Sequence, residues 1–332
     1  MINKHLKKTR YGPGGPNDKE LNPVIHDLLA RWAGSKGYRL GMSDVGTVEA
    51  VGRELASRRD SGEIPASFFQ DQLTGFTYQE GCALENPRSV VIVAVPRPAH
   101  ILEFSLGGKT IETVLPPTYV QYRSTFTMTC KDLRNELKGT GHKVEILNAP
   151  LKALAERLGV ITYGRNNIGY IEGLGSWFQL VALVSDIPAP PQAGSRRPAK
   201  ALLPQCRKCI ACIAGCPRGA IGRGRFLLRA EECYTVFSES IRLIPEHVRP
   251  PSPNCLVGCL KCQEICPANK DRMVYEKAAV SFNAEETEAF LGRAGSSPLV
   301  REAAQAKFKS LGLSEDMRIF ARNLARILGL NS

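Results

Sequence analysis

The sequence predicts an α/β core, then a small cysteine-built domain, then a closing group of helices. Three observations carry this reading. Short apolar runs alternate with helix-period stretches through the first part of the chain. Nine of the eleven cysteines fall between Cys206 and Cys266. Beyond them the pattern is helical alone. These place boundaries at 1–190, 195–275 and 276–332.

In chain order, residues 23–60 carry helix spacing, with Val24, Leu28, Leu29 and Trp32 on one stripe and a second stretch near Val48–Leu55. Ser89–Pro96 reads SVVIVAVP, a β-branched run bounded by prolines, and predicts a buried strand. Thr110–Val114 predicts another strand, Thr129–Leu137 a helix and Lys143–Leu147 a strand. Leu151–Leu158 is helical and Phe178–Val184 is a further buried strand. Pro188–Pro204 is proline-rich and basic, as a crossing between domains would be. Near the C-terminus Ser297-Pro298 and Ser314 supply helix starts. In the last helix Met317, Phe320, Leu324, Ile327 and Leu328 form an apolar face stopped by Gly329, and this face predicts docking on the core.

Composition narrows the function classes. With 43% hydrophobic and 23% charged residues the chain is globular. No run approaches the roughly 18 apolar residues of a membrane span. The basic Met1–Arg10 leads into Tyr-Gly-Pro-Gly-Gly-Pro, with no apolar h-region and no twin-arginine leader, so a cytoplasmic location with no membrane partner is expected. The formal charge of +12 counts every cysteine as neutral. Two four-iron clusters at about −2 each would bring it to roughly +8. Nine basic residues and no acidic one lie between Ile187 and Ala230, around the first cysteine motif. They offset cluster charge or meet an anionic partner such as nucleic acid.

The cysteines fall into two runs. Cys206-x2-Cys209-x2-Cys212-x3-Cys216-Pro217 matches the bacterial ferredoxin pattern, in which three thiolates hold one cluster and the fourth reaches the other. The second run is Cys259-x2-Cys262-x3-Cys266-Pro267. Crossing assigns Cys206, Cys209, Cys212 and Cys266 to cluster one, and Cys216, Cys259 and Cys262 to cluster two. Zinc sites, built on separated Cys-x2-Cys pairs, match less well. The eighth ligand is open between Cys255 and Cys233, with spacing favouring Cys255. No P-loop, dinucleotide fingerprint or histidine triad is present.

The segments CRKCIACIAGCPRGAI, ECYTVFSESIRLIPEHVRP and GCLKCQEICPAN resemble epoxyqueuosine reductases, whose relatives include corrinoid-dependent reductive dehalogenases. ENPRSVVIVAVPRP, the stretch from Leu154 to Pro188, SSPLVR and ARNLARILG extend the likeness over the same order. The resemblance implies a nitroreductase-like α/β (α+β) core holding cobalamin, with a ferredoxin-like double [4Fe–4S] domain feeding it electrons from an external donor of ferredoxin or flavodoxin type. It also admits flavin. It makes Cys233 the eighth ligand, and it puts Gly164, Asn166, Asn167, Gly175 and Ser176 beside the cofactor.

Departures from the family bear on function. The acid of its Asp-Tyr-His segment is replaced within Met128-Thr129-Cys130, and a second aspartate by Leu147-Asn148 before Ala149-Pro150. Neither methionine nor leucine can donate a proton. Tyr119, Tyr122 and Arg165 are the candidates for catalysis in their place, since a cation beside a phenol lowers its pKa. The resulting expectation is a corrinoid-dependent reductase of a small molecule. The competing readings are an electron-delivery protein that reduces a partner corrinoid protein, and a reductase acting on tRNA.

Overall fold

The computed structural model describes residues 18–77, 84–191, 202–224, 226–241, 244–245, 247–248, 255–293, 295–313 and 316–330. Cys82 and Ser314 lie outside them. Helix α1 (Asp18–Ser35) leads to β1 (Arg39–Asp44), α2 (Gly46–Asp60) and α3 (Ala66–Gln72). The strand β1 interrupts the stretch expected to be helical, because it pairs antiparallel with β2 (Ser89–Pro96) as an edge strand, Leu40 opposite Val93. Along α1 the buried stripe is Ile25, Leu29, Trp32 and Ala33, leaving Val24 61% exposed.

After β2 come β3 (Ala99–Leu106) and β4 (Lys109–Leu115), an antiparallel hairpin, then α4 (Tyr122–Glu136), β5 (Val144–Ile146) and α5 (Leu151–Arg157). Short β6 (Thr162–Tyr163) and β7 (Gly169–Tyr170) pair with each other, and β8 (Phe178–Ser185) follows. The central sheet has the order β1-β2-β8-β5, every pair antiparallel. Helices cover both of its faces. Val90, Ile92 and Ala94 pack with Val48 and Val51 of α2 and Leu154 of α5. Val91, Val93 and Val95 pack with Leu29 and Trp32 of α1 and Leu133 of α4. Successive side chains of a strand point to opposite faces, so two covered faces explain why β2 is apolar without alternation.

The cysteine-rich unit carries α6 (Ala211–Ala214), α7 (Tyr234–Glu239) and α8 (Lys261–Glu264). The chain then re-enters the core through β9 (Tyr275–Lys277), parallel to β3. Helices α9 (Ala284–Phe290), α10 (Pro298–Ser310) and α11 (Met317–Ile327) cover the hairpin sheet β4-β3-β9. Phe104 of β3 stacks on Phe282 at 4.7 Å and meets Phe290 at 5.3 Å. Removing such a ring from a closed core costs roughly 3–5 kcal/mol. The helix starts are capped locally: Asn283 and Glu286 form a capping box, Ser297 caps α10, and Asp316 accepts from the Arg318 N–H to start α11. Gly329, at φ +66°, follows the end of α11. Among the described residues no helix is long and apolar enough to cross a membrane.

Candidate functional site

The two cysteine runs fold into short turns and one-turn helices that bring the thiols into two groups. Burial pushes the Cys212 thiol up to about 11, and neighbouring Cys206, Cys266 and Cys209 push it the same way. The other group is as clear. Burial raises Cys262 well above the usual thiol range, and Cys259, Cys233, Cys212 and Cys216 add to it. Cys259 is pushed up to about 11 by burial, then by Cys233 and Cys216. A thiol so raised keeps its proton in water, whereas bound iron displaces it. Backbone N–H groups complete the cradle: Arg165 donates to Cys206 Sγ at 3.4 Å and Ala220 to Cys216 Sγ at 3.4 Å. Convergence of two four-thiol groups, with N–H donors on sulfur, fits two four-iron clusters.

Cys255 is placed differently. It is buried among Ala99, Trp177 and Leu260, and Cys259 is the one cluster thiol that acts on it. Burial pushes it up to about 12. Cys233 instead neighbours Cys216, Cys259 and Cys262.

A small cavity lies against the segments that carry Cys233 and Cys259, through Glu239 and Val257. It has a volume of about 340 Å³ and is lined by Thr118, Tyr119, Tyr122, Glu239, Val257, Ile319 and Phe320. Tyr119 ends a proline turn, its N–H donating to the Pro116 carbonyl at 2.9 Å. Buried Gln179 of β8 holds that turn by donating to the Pro117 carbonyl at 2.7 Å and the Val120 carbonyl at 2.6 Å. The Tyr119 hydroxyl donates to the Glu239 carboxylate of α7. Burial, with Glu239 adding, drives the Tyr119 pKa well above its ordinary 10. Gly258, at φ +74°, makes room for this ring: a Cβ there would stand 2.8 Å from Tyr119. Lys152 of α5 does not line this cavity but lies within electrostatic range of Cys233, Cys262 and Glu239. Its side chain stays accessible while burial lowers its pKa, and Cys233, Cys262 and Glu239 oppose that lowering. Its ammonium donates to the Asn167 carbonyl at 3.2 Å.

The residues expected at the reaction centre therefore divide. Tyr119 and Tyr122 share the chamber. Arg165 is at cluster one, where its guanidinium donates to the Cys206 and Arg223 carbonyls. Of the groups expected to face a cofactor, most face the cluster domain. Asn166 donates to the Cys262 carbonyl at 3.1 Å and to the Tyr170 hydroxyl at 2.8 Å. Ser176 donates from its N–H to Asn269 Oδ1 at 2.9 Å and from its hydroxyl to Gln263 Oε1 at 2.8 Å. Gly175, at φ +60°, lies so close that a Cβ would stand 2.4 Å from Asn269 Oδ1. Gly164 is packed against Tyr170 and the Asn166 side chain. Asn167 alone keeps a buried amide nitrogen, Nδ2, without a partner.

Four residues of this site escape sequence reasoning. Glu239, Lys152, Gln179 and Asn323 are single polar side chains in unremarkable segments, and no spacing marks them. Asn323, buried on α11, donates to the Ser238 carbonyl at 2.9 Å and the Leu256 carbonyl at 3.0 Å. It thereby ties α7, which follows Cys233, to the segment leading into Cys259. The residues that the resemblance sets against the family's acids lie elsewhere. Met128 is 60% exposed on α4, Leu147 is buried in the core, and Asn148 donates to the Gly75 carbonyl at 3.0 Å. None of these lines the chamber.

Residues 205–269 match the family model of the 4Fe-4S double cluster binding domain. The epoxyqueuosine reductase of Aliivibrio fischeri is 32% identical over 162 residues, covering 45% of this chain and 42% of that protein. That of Burkholderia pseudomallei is 30% identical over 270 residues, covering 78% and 64%. The chain thus spans less than two thirds of the length of these relatives. The fold agrees with the epoxyqueuosine reductase structure from Bacillus subtilis, with a TM-score of 0.63 at 18% identity over 92% of this chain and 81% of that one. A structure of epoxyqueuosine reductase with a tRNA-Tyr epoxyqueuosine-modified tRNA stem loop gives a TM-score of 0.61 at 18% identity, with the same coverage. The chain carries a double [4Fe–4S] cluster-binding domain and belongs to the epoxyqueuosine reductase superfamily.

Proposed function

We propose that this chain is an iron–sulfur reductase that acts on a modified nucleoside carried by tRNA. The observation that carries the reading is the Tyr119–Glu239 chamber against the segments that carry Cys233 and Cys259. Its 340 Å³ lies near the lower end of the roughly 300–1,000 Å³ of small-molecule sites, a fit for one nucleoside. Relatives that act on epoxyqueuosine favour this substrate class over the free small molecule expected from the missing aspartates.

Reducing an epoxide to an alkene takes two electrons and two protons and releases water. The clusters supply the electrons one at a time. Negative charge develops on the departing oxygen, and Lys152, within electrostatic range of Glu239, Cys233 and Cys262, supplies the nearby cation. The same ammonium is a proton source in the place the aspartates leave open. Tyr119 stays protonated, and its bond to Glu239 orients the ring that shapes the chamber.

Cobalamin, the cofactor the resemblance implies, has a poor fit to the residues expected to hold it. Asn166, Ser176, Gly175 and Gly164 are committed to the cluster domain or to their own loop, and Asn167 Nδ2 is the one orphaned donor among them.

The test is conversion of an epoxide-bearing nucleoside in a tRNA stem loop by anaerobically reconstituted protein with dithionite, followed by mass spectrometry. Loss of one oxygen is expected. Full iron content and reducible clusters with no conversion would remove the reading. Cobalt and flavin content before and after adding cobalamin identifies any further cofactor.

A further inference from the structure

We propose that Tyr170 raises the potential of cluster one through a hydrogen bond from its hydroxyl to the sulfur of Cys266, and that Asn166 is the positioning residue that aims this hydroxyl. The inference rests on the assignment of Cys266 to cluster one and Cys262 to cluster two, and not on the substrate. It gives Asn166 a role different from the cofactor contact that the resemblance implies.

Both residues belong to the β6–β7 hairpin of the core. Thr162 pairs with Tyr170 and Tyr163 with Gly169. The turn between the strands is closed by the Gly164 N–H on the Ile168 carbonyl at 2.8 Å and the Asn167 N–H on the Gly164 carbonyl at 3.0 Å. Gly164 leaves the space that the Tyr170 ring fills, since a Cβ there would stand 2.6 Å from the ring's Cε2. Asn166 and Tyr170 are 1% and 3% exposed, so their polar atoms find their partners within the protein.

The bonds can be followed atom by atom. Asn166 Oδ1 accepts from the Ile168 N–H at 3.3 Å, which fixes the way its amide faces. Its Nδ2 then has two hydrogens for two acceptors, the Tyr170 oxygen at 2.8 Å and the Cys262 carbonyl at 3.1 Å. Because Tyr170 accepts from Asn166, its own proton points elsewhere, and its partner is the Cys266 side chain. One buried amide thus ties the backbone of a cluster-two ligand to a hydroxyl on the sulfur of a cluster-one ligand. Cys262 lies in α8 and Cys266 two residues beyond it, where the chain crosses from one cluster to the other. The core holds Gln263 of the same turn as well, by the Ser176 hydroxyl on Oε1 and by Asn269 Nδ2 on the carbonyl, each at 2.8 Å.

Reduction adds one electron and makes a cluster more negative. A donor on a ligating sulfur stabilises that charge and so raises the potential. Cluster one receives two such donors from the hairpin, the Tyr170 hydroxyl and the Arg165 N–H on Cys206 Sγ at 3.4 Å. The hydroxyl is the one that a change of side chain removes. Asn166 meets Cys262 at its carbonyl and not at its sulfur, so the effect falls on cluster one.

The test is potentiometric titration of the full holoprotein, read by electron paramagnetic resonance, with Tyr170→Phe compared with the parent at matched iron content. Phenylalanine keeps the ring in the space that Gly164 leaves. One of the two one-electron waves should move to lower potential by about 59 mV, a ten-fold change in its equilibrium constant, while the other stays. Asn166→Ala leaves the hydroxyl but frees its direction, and it should move the same wave the same way by less. It carries the test if Tyr170→Phe loses iron. Waves unmoved at full iron content would overturn the proposal. So would an equal fall of both waves, which marks a loosened domain and not one lost bond. Neither readout depends on nucleoside conversion, so failure of the proposed reaction would be seen separately.

Discussion

The Tyr119 hydroxyl donates to the Glu239 carboxylate across 120 residues of sequence, joining a proline turn of the core to the helix that follows Cys233. Tyr119→Phe keeps the ring and removes the bond. Turnover should fall roughly 10²-fold with iron content unchanged, and Glu239→Gln should add little to that loss. Kinetics of both single variants and the double variant check this. Full additivity would mean that the two groups act separately.

Lys152 places a cation beside Cys233 and Cys262 of cluster two. A positive charge favours the reduced, more negative cluster, so Lys152→Met should shift the cluster-two midpoint to lower potential, on the order of tens of millivolts. Lys152→Arg should restore most of the shift. Potentiometric titration followed by electron paramagnetic resonance reads it directly.

Cys233→Ala should remove about half of the iron, whereas Cys255→Ala should keep all of it. The reason is placement: Cys233 lies among Cys216, Cys259 and Cys262, and Cys255 lies in an apolar cluster with Ala99, Trp177 and Leu260. Iron analysis of the two variants decides between them. In the native protein Cys255 should also resist alkylation at pH 8, since burial holds its thiol near 12.

Asn323→Ala leaves the Ser238 and Leu256 carbonyls without their donor in a buried place. The cost should be about 1–3 kcal/mol, with a lower Tm and faster loss of cluster-two iron to a chelator. Arg322 donates to the Ser240 carbonyl beside it at 2.7 Å, so α7 should loosen without detaching.

Glu54 predicts an acid limb of stability. Burial alone would raise its carboxyl pKa, but the guanidiniums of Arg157 and Arg58 outweigh burial and hold it below its ordinary 4.5. The unfolded chain then binds the proton more readily than the folded one. The contribution is complete above pH 4.5 and drains as pH falls through the folded value. Below about pH 4.5 the Tm of the parent should fall more steeply than that of Glu54→Gln, as thermal scans across pH would show.

Much of the fold was legible because burial leaves a pattern in the chain. SVVIVAVP announced β2 with both its ends, Phe178–Val184 announced β8, and Ser297-Pro298 marked the start of α10. The edge strand β1, RLGMSD, has no such pattern, because its strand character comes from pairing with β2. β3, AHILEFSL, carries charge and histidine on a half-open sheet and escaped notice for a similar reason.

The cysteine runs mark a two-cluster domain in the sequence alone, since the geometry of a cluster-binding turn is local and its spacing is written in consecutive residues. Tertiary structure decided what surrounds them. It brought Cys233 into the second group and left Cys255 in an apolar cluster. It turned Asn166 and Ser176 toward the cluster domain, and it set Glu239 beside Tyr119 and Lys152 within range of Cys233 and Cys262. Such meetings join single side chains far apart in the chain. They carry no spacing that a sequence could show, and only packing fixes which polar group meets which partner.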